Sequence, residues 1–335
     1  MEFINSEKSG LKISRIIYGG WAIGGWYWGA YDDPMAVRSI DAALDAGIQT
    51  FDTAPVYGMG HSECIIGKAL KGKSDAVIAT KCGLRYDQIG EEGVHFFDID
   101  EYSPTVQVFR NLHHDSLLYE CEQSLRRLKR DWIDIYQIHW PDRSADEEET
   151  AEALNRLYQE GKIRSAGVCN HTVEKLIRLE KYLSVPLAFD QEKLSLLHQK
   201  SLEGNIPYVK KNKITFFAYG TMAQGLLSDK MGPERKFALN DYRNKSDLHT
   251  VDYRKSVAEA FEKMKDLCER YSCTYANLAT AWALYASGKN SCAITGIRNE
   301  NQALENSRAC SIQLNGNEAE ALTETFSSIH YRGKW

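Results

Sequence analysis

The chain has 335 residues, with 41 Lys and Arg against 46 Asp and Glu for a formal net charge of -5; 43% of residues are hydrophobic and 26% charged. These proportions exclude a disordered or collagen-like polypeptide, supply apolar material for a large core, and lack the basic excess that nucleic-acid binding needs. No stretch approaches the ~18 apolar residues of a membrane helix, and Met1–Lys8 has no basic segment leading into an apolar one, so the expectation is a soluble cytoplasmic chain without nucleic-acid or membrane partners.

In chain order, Met1–Lys12 reads as an N-terminal hairpin, and Ser14–Tyr18 as a strand that leads into the glycine-rich Gly19–Gly25. A helix over Pro34–Ala46 follows, with Pro34 at its first position and Gly47 just past its end. Strands at Gln49–Thr53 and Ala76–Lys81 flank a helix over His61–Leu70, and Leu84–Ser116 reads as a long loop. Helices over Leu117–Leu128, Ala145–Glu160, Thr172–Tyr182 and Leu202–Asn212 then alternate with strands at Ile133–His139, Ile163–Cys169, Leu187–Gln191 and Ile214–Tyr219. A second loop, Ser228–Thr250, precedes helices over Val251–Tyr271 and Tyr275–Ala286. The last strand, Ser291–Thr295, is followed by helices over Asn301–Cys310 and near Asn317–Ile329.

Most strands are continuous apolar runs, such as Ile214-Thr-Phe-Phe-Ala, the pattern of strands covered on both faces. Strands alternating with helices in this way predict an α/β fold: a parallel (β/α)8 TIM barrel, one domain over residues 1–335, with an N-terminal hairpin and an extra C-terminal helix. An open doubly wound sheet would announce a GxGxxG turn after its first strand, and Gly19–Gly25 does not have that spacing. The 8 cysteines form no CxxC pair and the 9 histidines no HExxH, which points to reduced thiols and to no metal site.

In such a barrel the chemistry sits at the C-terminal strand ends. Those ends carry Trp21, Asp52, Lys81, His139, Cys169 with Asn170, Gln191, Tyr219 and Arg298. The run Gly47-Ile-Gln-Thr-Phe-Asp-Thr-Ala-Pro-Val-Tyr-Gly-Met-Gly-His-Ser-Glu, then Ala79-Thr-Lys, then Tyr136-Gln-Ile-His-Trp-Pro-Asp, resembles the aldo-keto reductase superfamily, in its bacterial branch related to the potassium-channel β subunits. The resemblance spans essentially the whole chain and implies a catalytic set of Asp52, Tyr57, Lys81 and His139. The chemistry is coherent: Lys81, kept charged by Asp52, eases proton transfer from Tyr57 to a carbonyl oxygen that His139 orients.

Hydride must come from a cofactor, which the resemblance makes NADPH rather than NADH. It implies contacts at Gly20, Trp21, Asp52, Cys169, Asn170 and Gln191, and at Tyr219, which would stack on the nicotinamide. A pyrophosphate loop would run through Gly220, Thr221, Met222, Ala223, Gln224, Gly225 and Leu226, with charge from Lys230 and Arg243. Gly296, Ile297, Arg298, Gln302 and Asn306 would hold the adenosine 2′-phosphate, with Arg298 as the clamp. At Cys169 the family usually has Ser, a stronger donor.

The variable loops are rich in aromatics: Trp21, Trp26, Tyr27, Trp28 and Tyr31 after the first strand, Tyr86, Phe96, Phe97, Tyr102 and Phe109 in Leu84–Ser116, and Trp140. Trp21, Trp28, Tyr57, His139 and Trp140 are the candidate substrate contacts, for a small carbonyl compound. Three functions fit: an NADPH-dependent aldehyde or ketone reductase, an NADP-dependent sugar or polyol dehydrogenase, and a redox-sensing module that controls a protein partner. The basic, aromatic Ser327–Trp335 is expected to fold over the barrel mouth or a neighbouring subunit of a homo-oligomer.

Overall fold

A computed structural model describes residues 1–25, 27–28, 32–87, 93–100, 102, 104–142, 145–239 and 241–329. Trp26, Tyr31 and the end of the expected C-terminal cover, 330–335, lie outside the described residues. The chain opens with an antiparallel hairpin, β1 (Phe3–Asn5) and β2 (Lys12–Ser14), then enters a barrel through β3 (Ile16–Gly19), β4 (Thr50–Asp52) and β5 (Val77–Cys82). A side sheet, β6 (Leu84–Arg85), β7 (Val94–Ile99) and β8 (Val106–Arg110), interrupts it. The barrel resumes with β9 (Ile135–Ile138), β10 (Ala166–Cys169), β11 (Leu187–Lys193), β12 (Thr215–Tyr219) and β13 (Ser291–Gly296). All barrel pairings are parallel, in chain order, and β13 closes on β3.

The helices around it are α1 (Asp33–Asp45), α2 (His61–Ala69), α3 (His114–Leu128), α4 (Glu147–Gln159), α5 (Val173–Glu180), α6 (Asn205–Lys211), α7 (Val251–Glu262), α8 (Lys265–Tyr271), α9 (Tyr275–Ser287), α10 (Glu300–Ser307) and α11 (Gly316–Ser327). Local capping fixes several starts: Asp32 accepts from Met35 N–H ahead of α1, Thr172 from Lys175 N–H ahead of α5, and Asn315 with Glu318 forms a capping box on α11.

Strand period two separates two apolar layers. Ile16, Tyr18, Phe51, Ile78 and Tyr136 face the helices. Ile17, Val77, Ala79, Ile135, Phe189 and Phe217 fill the barrel interior, where the hairpin's Ile4, Leu11 and Ile13 close it at the N-terminal end.

Three expectations need correction. Leu84–Ser116 is not a loop throughout, since β6–β8 and the start of α3 occupy much of it; Phe97, Val106 and Val108 have an apolar cluster of their own to bury against. Val251–Tyr271 is two helices, because the chain leaves helical geometry at Met264 (φ -106, ψ 10). Ile133 and Ile163 pair only as an isolated bridge below β9 and β10, so those strands are shorter than the apolar runs.

Candidate active site at the barrel mouth

The alternation that fills the floor also delivers polar groups to the mouth. On β5 the inward positions are Val77, Ala79 and Lys81, and Thr80 points outward to donate to Glu63. On β9 the inward series is Ile135, Gln137 and then His139. On β11 it reaches Gln191.

Lys81 is fully buried, and its Nζ donates to both Asp52 oxygens (2.9 and 2.8 Å), to the Thr53 carbonyl (2.9 Å) and to the Tyr57 hydroxyl (3.3 Å). Gln191 Nε2 donates to Asp52 Oδ1 at 2.8 Å, and Gln137 Nε2 approaches the same oxygen at 3.5 Å. Burial alone would deprotonate Lys81, but the Asp52 carboxylate that it hydrogen-bonds outweighs burial and raises its pKa, so the ammonium persists.

Tyr57 sits on the turn between β4 and α2. A Cβ on the next residue, Gly58 (φ 66), would lie 1.7 Å from the Gly24 carbonyl oxygen, so only glycine lets the two turns touch there. That contact brings the Trp21 ring onto Tyr57 (centroids 6.1 Å, interplanar angle 29°), while His139 meets Tyr57 edge-on at 5.7 Å. Burial raises the Tyr57 pKa well above that of a free tyrosine, and Lys81 offsets only part of the rise. Lys81 does favour the phenolate, as expected, but desolvation is the larger effect, so the group is a neutral O–H. Burial, and then the Lys81 charge, hold the His139 pKa well below its usual value, so the ring is neutral.

Around this group, Asn170 adopts a left-handed backbone (φ 60) and ties three strand ends together. Its Nδ2 donates to the His139 carbonyl (3.0 Å) and to Cys169 Sγ (3.2 Å), and its Oδ1 accepts from Tyr219 OH (2.7 Å). Cys169 Sγ donates weakly to Gln191 Oε1 at 3.4 Å.

Beyond Tyr219, the turn Gly220–Leu226 is shaped by internal bonds, Ala223 N–H to the Gly220 carbonyl and Gly225 N–H to that of Met222. The side chains of Ala223, Leu226 and Ile297 are packed in the core, so these residues offer only backbone to a ligand, which narrows the expected contacts. Gln302 and Asn306 spend side-chain bonds on the Arg298 backbone N–H (2.8 Å) and the Gly296 carbonyl (3.3 Å), which hold that segment in place. Arg243 is locked two-pronged onto Asp241 (2.9 and 2.6 Å) with its guanidinium 5.4 Å from the Trp28 ring centroid. Arg298 Nη1 donates to the Trp28 carbonyl at 3.0 Å, so three loops meet over the same edge of the mouth; Lys230 is exposed on the loop that follows β12. Gly20 has no room for a side chain, its Cβ position lying 2.7 Å from Ser62 Oγ.

Among the described residues, buried polar atoms along this edge without a hydrogen-bond partner include Trp21 Nε1, Trp28 Nε1, Thr221 Oγ1 and Gln224 Oε1. Such groups normally find a partner in a folded protein, so their clustering here fits a ligand that supplies it. On the opposite side, β7 sets Phe96 5.4 Å from Trp140, in one apolar cluster with Phe97, Tyr86 and Tyr57.

Sequence reasoning missed Gln137, Lys193 and Glu120. The first two lie two residues from named positions, His139 and Gln191, so strand period alone could have found them. Lys193, with its Nζ 6.0 Å from the Tyr219 ring centroid, has its pKa pulled down to about 8 by burial. Glu120, on α3, accepts the Gly83 N–H with both oxygens (3.1 Å each) and is pushed up to about 8 by burial; no local pattern marks it.

The Aldo/keto reductase family profile matches residues 15–326. The chain belongs to this family. Among relatives, aldo-keto reductase YhdN of Bacillus subtilis is 38% identical over 307 residues, 90% of this chain and 86% of that protein. An NADH-specific methylglyoxal reductase of Escherichia coli is 32% identical over 337 residues, 98% of this chain and 99% of the relative. The glycerol dehydrogenase AKR11B4 from Gluconobacter oxydans superposes with a TM-score of 0.85 at 34% identity, covering 97% of this chain and 95% of the other. As an aldo-keto reductase, the protein is an oxidoreductase of a family that uses nicotinamide cofactors. Among the described residues, no helix is long and apolar enough to cross a membrane.

Proposed function

We propose that the protein is a cytoplasmic, NADPH-dependent reductase of small aldehydes or ketones, with Tyr57 as proton donor and the whole chain acting as one barrel domain. The observation that carries this reading is the relay Tyr57–Lys81–Asp52, in which a neutral buried phenol touches an ammonium that a buried carboxylate holds charged. A bound nicotinamide supplies the hydride. The protein's own groups manage the proton: His139, neutral, can give one N–H to the substrate oxygen, and Tyr57 passes its O–H proton to that oxygen as negative charge builds there. Lys81 stabilises the phenolate left behind.

The unpartnered atoms at Trp21, Trp28, Thr221 and Gln224 support a nucleotide laid from Tyr219 towards Arg298. The Arg298 guanidinium beside the start of α10 supports recognition of a 2′-phosphate. The two aromatic walls beside Tyr57 and the names of the relatives support a small, oxygen-rich carbonyl substrate. The same relay runs in reverse, and the glycerol dehydrogenase relative favours polyol oxidation as the second reading.

The test is a titration of tryptophan fluorescence with NADPH and, separately, NADH. Binding of NADPH at least about tenfold tighter than NADH, with that ratio collapsing in Arg298→Leu, is the expected outcome, since a tenfold ratio is about 1.4 kcal/mol and within reach of one charge-assisted phosphate contact. Equal affinities would remove the clamp role of Arg298, and tighter binding of NADH would align the protein with its NADH-specific relative. Binding of neither nucleotide would end the reductase reading.

A further inference from the structure

Away from the mouth, the C-terminal end of α8 holds two cysteines in a fixed arrangement. Ser272 takes the left-handed conformation (φ 47), its N–H donates to the Glu269 carbonyl (3.2 Å), and Cys273 N–H donates to the Cys268 carbonyl (3.0 Å). This pair of bonds is a Schellman turn, which sets the side chain three residues before the end of the helix against the one just beyond it. Here those side chains are the thiols of Cys268 and Cys273, and they share a hydrogen bond. The Cys273 N–H to Cys268 carbonyl bond brings the two backbones together, as closing a disulfide between them requires.

The turn is also anchored on its far side. Tyr275 N–H donates to Asp229 at 3.0 Å, and Thr274 Oγ1 to Glu305 at 3.2 Å. The helix end that carries both thiols is therefore fastened to the rest of the fold.

We propose that Cys268 and Cys273 form a reversible dithiol–disulfide couple, a modification site whose co-reactant is a hydroperoxide. Cys273 as thiolate attacks the peroxide: an S–O bond forms, the O–O bond breaks, and hydroxide leaves. Sulfur loses two electrons and the peroxide gains them. The Cys268 sulfur then attacks the sulfenic acid, forming the S–S bond as the S–O bond breaks, and its proton departs with the hydroxyl group as water.

The roles follow from the surroundings. The hydrogen bond from Cys268 lowers the Cys273 pKa, against burial and the nearby Asp229 charge, and the same bond raises that of Cys268. Both residues are partly exposed, so peroxide can reach them. Cys82 and Cys169, by contrast, are buried and their pKa values are pushed well above that of a free thiol, which leaves them little thiolate to react.

The test uses the full chain exposed to hydrogen peroxide, alkylated without reduction and digested with trypsin, which cuts after Arg270 between the two cysteines. The expected result is a peptide 266–270 joined to a peptide 271–289, separated again by dithiothreitol. Cys268→Ser should instead accumulate a sulfenic acid on Cys273 that dimedone traps, whereas wild type should not. Recovery of the two peptides as alkylated thiols or sulfinic acids, or joined to other cysteines, would overturn the proposal. So would dimedone labelling of Cys273 that is equal in wild type and Cys268→Ser.

Discussion

At the floor of the barrel, Ile17, Val77, Ile135, Phe189 and Phe217 fill the interior, and the hairpin closes it from below. A few residues further along the same sheet, Asp52, Lys81, Gln137 and Gln191 stand in equivalent inward positions. Both ends are buried, but by opposite physics. Apolar packing at the floor gains free energy from leaving water. The mouth buries an ion pair, whose desolvation costs free energy that the attraction between Asp52 and Lys81 has to offset. The floor therefore holds the strands in place, and the mouth uses that rigidity to keep a charged relay dry. Stability and chemistry are thus separated along single strands, two residues apart on β5, where Ala79 belongs to one and Lys81 to the other.

The sharpest test of that separation is Tyr57→Phe. Turnover should fall by about 10²–10⁴-fold, because the proton donor is lost. The unfolding midpoint and the nucleotide dissociation constant should barely move; a large loss of stability, or full activity, would break the division. Phe217→Ala is the converse. It should cost about 3–5 kcal/mol of unfolding free energy in a denaturant titration. The turnover of the folded fraction should stay near wild type, and a deep loss there would show that the mouth depends on the floor in more than scaffolding.

The smallest effect concerns pH. Burial raises the Asp190 pKa to about 7, with an Asn205 hydrogen bond opposing the rise, so the folded state keeps a proton that the unfolded chain releases near pH 4. That contribution to stability is complete below the unfolded pKa and is lost as pH rises through about 7. His171 and His249 have the opposite sign. Burial lowers each to about 4, so their contribution is present above the unfolded pKa near 6.5 and disappears as pH falls through about 4. Asp190→Asn keeps an acceptor for Asn205 and should gain on wild type by on the order of 1 kcal/mol between about pH 5 and pH 8, read from unfolding midpoints. A constant offset across that range would mean Asp190 does not titrate there.

Much of this architecture was legible in the chain. Seven of the eight barrel strands fall within or one residue beyond the apolar runs, and β11 runs two residues past Gln191, because a strand covered on both faces must be apolar through most of its length. The polar residue ending each run is what placed Asp52, Lys81 and His139 at one mouth, and the Asp-Thr-Ala-Pro-Val-Tyr run identified Tyr57 as their companion. The side sheet β6–β8 was not legible: its strands mix exposed, half-buried and buried residues without a clean period of two, and what they pack on includes the turn after β4, well before them in the chain. Nor was the break at Met264, since the amphipathic pattern runs on through it.

By itself, the sequence determined the barrel, the order of its strands, and which four residue types face one another. The first two follow from local period; the set of four follows from the resemblance of the motifs that carry them to those of the aldo-keto reductases. Tertiary structure alone decided the direction of the Tyr57 shift, the crowding of Asp52 by Gln137 and Gln191, the burial of Ala223, Leu226 and Ile297 away from the mouth, and the meeting of Trp28, Arg243 and Arg298 over it. The reason is that burial and Coulomb interactions depend on what surrounds a group in space. A sequence names the group, but the depth at which it is buried and the charge placed beside it come from distant segments, as Gln191 does for Asp52 and Trp28 for Arg298.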